Sequence, residues 1–144
     1  MPSYLTEVGR ILALDVGGKR IGLAISDPAG VLATPYETVA RRGIETDISA
    51  ILTVVKQEVV QRLIVGLPIS MNGIIGQQAK ETLVFCEALR KKSPVLVETW
   101  NEQLSTFEAE TRLREANVKP SRNKEMLDAS AAAVILQSYL DAFR

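Results

Sequence analysis

Short apolar runs alternate along this chain with longer stretches in which apolar residues recur at helical spacing. Residues 11–14, Ile-Leu-Ala-Leu, form an unbroken apolar run of the kind a strand shows when both of its faces are covered. A second run, Ile21 to Ile25, returns after Gly17-Gly18, whose backbone freedom permits the reversal, so the two read as a hairpin with Asp15 closing its first strand. Asp27-Pro28-Ala29-Gly30 has turn composition, and Val31 to Val39 supplies a third strand interrupted by Pro35. From Ile44 to Val60 the residues Ile48, Ile51, Leu52, Val55 and Val59 predict a helix, with Glu45 and Asp47 near the start, where the helix dipole favours negative charge.

Residues 62–68 then read as a short strand stopped by Pro68, followed by a polar glycine loop, Ser70-Met71-Asn72-Gly73, expected at the sheet edge. Gly76 to Lys92 predicts a second helix, with Ala79, Leu83, Cys86 and Leu89 on one face and a basic last turn. Val95 to Trp100 is the fifth strand. Ser105-Thr106-Phe107-Glu108 has the spacing of a capping box, which puts Asn101 and Glu102 at a strand-to-helix junction. A polar, basic connection over residues 117–124 leads to the last helix, whose predicted inner face is Leu127, Ala131, Val134, Ile135 and Leu140. Three strands, helix, strand, helix, strand, helix, helix predicts an α/β fold: an antiparallel meander continued by crossovers to parallel strands, giving a mixed five-stranded sheet with helices on both faces.

Charge and composition narrow the chemistry. At 144 residues the chain fits one domain. Its 17 basic and 17 acidic residues give no formal net charge, which excludes a protein that coats nucleic acid by bulk positive charge and leaves a local patch as the way to hold a polyanion. One cysteine, Cys86, allows no internal disulfide and points to a cytoplasmic compartment. No apolar run approaches the ~20 residues that cross a bilayer, and no secretory signal is read at the start, so no membrane partner is expected. The absence of histidine removes Ser-His and Cys-His pairs, a histidine base and histidine-containing zinc sites, leaving carboxylates to carry any hydrolysis.

Three carboxylates stand out. Asp15 ends strand one, Glu102 follows strand five, and Asp128 lies in the last helix, where Ala131, Ala132 and Ile135 follow at i+3, i+4 and i+7. An unpaired charge among small apolar neighbours is costly to bury, so either that end of the helix stays wet or a cation compensates it. Three convergent carboxylates without histidine match the oxygen ligation preferred by Mg²⁺ or Mn²⁺.

Five stretches in order, Asp15-Val-Gly-Gly-Lys-Arg-Ile-Gly, Ser26-Asp27, Val65-Gly-Leu-Pro-Ile-Ser-Met-Asn-Gly, Asn101-Glu-Gln-Leu-Ser-Thr and Leu127-Asp-Ala-Ser-Ala-Ala, span nearly the whole chain. By these the chain resembles the YqgF/RuvX family, bacterial RNase H-like proteins described as Holliday junction resolvases and as nucleases maturing the small-subunit ribosomal RNA precursor. The resemblance implies an RNase H-like nuclease domain over residues 1–144, with Asp15, Glu102 and Asp128 as catalytic, metal-holding acids. Metal-assisted phosphodiester hydrolysis would then need no side-chain base: one or two divalent ions, roughly 4 Å apart if there are two, would activate water and stabilise the leaving oxygen. The expected partner is a structured RNA precursor or branched DNA, bound by a monomer or homodimer. Lys19 and Arg20 on the first turn and Asn72 on the glycine loop are the candidates to grip phosphates.

At the fourth stretch the family pattern reads Asp-Glu-Arg-Leu-Thr/Ser-Thr, whereas Asn101 and Gln103 stand here in place of the acid and the arginine. Asn101 could ligate only through its neutral amide oxygen. The alternative reading is therefore a nucleic-acid-binding module of the same fold with weakened chemistry. An actin-like phosphotransferase also uses an Asp-x-Gly turn, but one small domain lacks the paired lobe that encloses a nucleotide.

Overall fold

A computed structural model describes residues 9–69, 72–104, 107–116 and 124–143. The meander is β1 (Arg10–Val16), β2 (Arg20–Ser26) and β3 (Ala33–Ala40). It is followed by α1 (Ile44–Gln57), β4 (Val60–Leu67), α2 (Gln77–Lys92), β5 (Leu96–Asn101), a 3₁₀ turn (Glu102–Leu104), α3 (Phe107–Glu115) and α4 (Lys124–Ala142). The sheet order is β3-β2-β1-β4-β5: β1 and β2 are antiparallel, as are β2 and β3, while β4 lies parallel to both β1 and β5.

Alternation along β1 explains the three layers. Leu12 and Leu14 point to one face, where they pack with Ile48, Ile51 and Val55 of α1 and Phe85, Cys86 and Leu89 of α2. Ile11 and Ala13 point to the other, against Ala132, Ala133 and Leu136 of α4. The residues on this second face are small where α4 crosses β2. A Cβ on Gly22 would overlap the main-chain oxygen of Asp128, so only glycine admits the helix at this distance.

Four boundary and facing expectations are corrected. Helix α1 ends at Gln57, and Val59, expected on its apolar face, is 67% exposed with φ at +53°, turning the chain so that β4 begins at Val60 instead of Arg62. On α2 the buried row is Ala79, Thr82, Phe85, Cys86 and Leu89, with Leu83 only half-buried, because Phe85 fills the space over β1 and β4. On α4, Leu127 and Ala131 are exposed while Ala129, Ala132, Ala133 and Leu136 are buried. That helix is covered by the sheet on one side and by α3 on another, and a helix buried on several sides carries no single informative stripe. The glycine loop leaves the C-terminal end of β4, an interior strand, not the sheet edge.

Pro35 is accommodated because β3 is an edge strand with a register shift opposite Leu23 and Ala24. The capping box beginning at Ser105 and most of the connection before α4 lie outside the described residues. Among the described residues no helix is long and apolar enough to cross a membrane.

Candidate active site

Because β1, β4 and β5 are parallel, their C-terminal ends share one rim of the sheet, the place where open α/β sheets present ligand-binding groups. Asp15 stands one residue before the end of β1 and, by alternation, on the α4 face with Ile11 and Ala13. Glu102 opens the 3₁₀ turn directly after β5. The two carboxyls are in hydrogen-bond contact. Burial raises the pKa of both. Glu102, pushed up to about 7 by burial and then by the charge of Asp15, keeps the proton and donates it to Asp15. Asp15 is raised by burial and by the charge of Asp128, and the hydrogen bond from Glu102 opposes that rise.

Glycine at position 66 makes room for this contact. A Cβ there would stand 3.0 Å from Glu102 Oε1 and 2.8 Å from Ile135 Cδ1. A groove of about 370 Å³, lined by Pro68, Ile69, Ile74, Gly76 and Gln103, opens onto Glu102. The Asn101 side chain shapes the turn that carries Glu102, its Oδ1 accepting the Gln103 N–H at 3.0 Å.

The third acid is near but differently engaged. Asp128 acts on Asp15 through its charge, while its Oδ2 accepts a hydrogen bond from Arg20 Nε at 2.7 Å. Arg20, expected at a phosphate, is thus the ion-pair partner of an acid 108 positions away. Consistent with this, no three acidic side chains among the described residues already surround one point. Lys19 is exposed on the turn between β1 and β2, at the same rim. Asn72 is exposed in the loop after β4, and its Oδ1 accepts the Ile74 N–H at 3.4 Å.

Sequence reasoning did not reach the residues that hold this rim in place. Arg41 binds the buried Asp47 at 2.8 Å, donates through its guanidinium to Gly17 O at 2.7 Å and through its backbone N–H to Lys19 O at 2.9 Å, so α1 and the end of β3 clamp the β1–β2 turn. Gly22 and Gly66 set the approach of α4 and Glu102. Their signal was present, since a lone glycine inside a strand pattern marks close backbone approach.

The donor set fits a hard divalent cation. All candidate ligands are carboxylate oxygens, and two of them, on Asp15 and Glu102, are in hydrogen-bond contact. Asp15, Glu102 and Asp128 are the residues that would hold such an ion.

A sequence model of the RuvX family, described as Holliday junction resolvase, matches residues 9–142. Relatives named "Putative pre-16S rRNA nuclease" include one from Desulforamulus reducens, 43% identical over 133 residues that span 92% of this chain and 97% of that protein. Another, from Nostoc sp., is 43% identical over 144 residues, covering 100% of this chain and 93% of its own. Among solved structures, Thermus thermophilus RuvC in complex with Holliday junction substrate shares the fold at 13% identity with a TM-score of 0.62, covering 94% of this chain and 95% of that one. The yeast mitochondrial Holliday junction resolvase Ydc2 does so at 10% identity and a TM-score of 0.56, over 93% and 78%. With the family model spanning β1 through α4 and relatives this similar over nine-tenths of the chain, the protein belongs to the RuvX family.

Proposed function

We propose that this chain is a divalent-metal-dependent endonuclease, acting as one RNase H-like domain in the cytoplasm, that hydrolyses phosphodiester bonds in the precursor of 16S ribosomal RNA. The observation that carries the reading is the contact of the Asp15 and Glu102 carboxyls at the rim of the parallel strands, with Asp128 within electrostatic reach. Two apposed carboxyls that keep a proton to about pH 7 form a site that gains by exchanging that proton for Mg²⁺ or Mn²⁺. When bound, the ion supplies an activated water and neutralises charge developing on the phosphate. The protein's own part is to fix the donors at the end of β1, on the turn after β5 and on α4, and to offer Lys19 and the amide of Asn72 to the flanking backbone. Such contacts position a chain without reading its bases. The relatives' name favours the ribosomal precursor over branched DNA as substrate.

The test is cleavage by the purified protein, with Mn²⁺, of a 16S rRNA precursor carrying its 5′ extension and, in parallel, of a four-way DNA junction. Cutting of the RNA that falls to background in Asp15→Asn and Glu102→Gln is the expected result. Cutting of the junction alone would replace the substrate. Binding of both without cutting would leave the weakened module, in which Asn101 and Gln103 have blunted the chemistry.

A further inference from the structure

The Arg20–Asp128 pair joins the first residue of β2 to the first turns of α4 directly over Gly22. Its side chains keep 32% and 35% of their exposure, so the pair lies at the mouth of the rim, within reach of water and of a polyanion. The three acids are therefore engaged in two different ways. Asp15 and Glu102 face each other in contact, and Asp128 has a guanidinium.

We propose that Arg20 is a positioning residue acting as an exchangeable counter-cation. It holds Asp128 while the metal is away, and it passes to a phosphate of the nucleic acid once a divalent ion draws Asp128 toward Asp15 and Glu102. The inference rests on the reading of these acids as the metal-holding set. A guanidinium suits the exchange, because its planar donor fork matches carboxylate and phosphate alike and it stays charged throughout. Metal and nucleic acid must then strengthen each other's binding by the same factor, because each favours the released arginine.

Mn²⁺ affinity of the whole chain, measured by calorimetry on the wild type, Arg20→Gln, Arg20→Lys, Asp128→Asn and the double variant Arg20→Gln/Asp128→Asn, tests this. Arg20→Gln should bind Mn²⁺ roughly fivefold tighter than the wild type, the scale of a half-exposed ion pair. Arg20→Lys, which keeps the charge, should restore wild-type affinity, and Arg20→Gln should have no effect where Asp128 is already Asn. With Ca²⁺ as the probe metal, affinity for a labelled 16S rRNA precursor should rise in the wild type and stay flat in Arg20→Gln. Unchanged or weaker Mn²⁺ binding by Arg20→Gln overturns the exchange, as does equal tightening in the Asp128→Asn background, which would reduce Arg20 to a distant positive charge. Coupling without cleavage removes the nuclease reading alone, and cleavage without coupling removes only this role of Arg20.

Discussion

Glu102 reaches Asp15 from the turn after β5, and burial of the two acids together pushes its pKa from the ordinary 4.5 up to about 7. Between those values the native state holds a proton that the unfolded chain has already released, so stability falls as pH rises through the window; the shift of Asp15 acts in the same sense. The melting temperature of the protein in EDTA should therefore drop between about pH 5 and about pH 8, and Glu102→Gln should flatten that slope. Thermal scans across the interval check it, and an unchanged slope in the variant would place the proton elsewhere. Mn²⁺ held by these acids, as proposed, would displace this proton, so its binding should tighten over the same range. At this scale Asp15 was readable from its place after an apolar run, and Asp128 from its small neighbours. The partnership of Asp128 with Arg20 was not, since nothing local ties residues 108 apart.

Val59 shows what periodicity leaves out at the scale of an element. It continues the apolar spacing of α1, yet it sits past the helix end in the left-handed region, where a β-branched residue is strained. Val59→Gly should raise stability by about 1 kcal/mol, or about 3 °C in melting temperature, with little effect on the site. Urea titration of the two proteins measures it, and a loss of stability would mean that the exposed side chain packs better than its 67% exposure implies. The hairpin, both crossovers and part of the α1 and α2 inner faces (Ile48, Ile51 and Val55; Ala79, Cys86 and Leu89) were legible because strand and helix periods are properties of neighbouring residues. The Arg41 clamp on Gly17 and Lys19 was not, because it depends on where the end of β3 passes the first turn.

Across the whole molecule, α4 closes the sheet, and one buried amide carries much of the closure. Gln137 accepts the Ala33 N–H at 2.9 Å and donates to Val31 O and Asp141 Oδ1, each at 3.0 Å, tying the last helix to the start of β3. Gln137→Leu keeps the volume but strips the buried Ala33 N–H of its acceptor, and should cost about 2 kcal/mol, about 6 °C in a thermal scan. A neutral result would show that water replaces the amide at that end of the helix.

Composition and pattern were sufficient for the α/β class and the five strands, and they singled out the candidate acids, because those follow from which residue types adjoin one another along the chain. The tertiary structure alone decided which acids come into contact, which one is held by an arginine, and how closely α4 approaches β2. Those outcomes depend on contacts between segments distant in sequence, set by sheet order and by two glycines whose missing side chains leave the space.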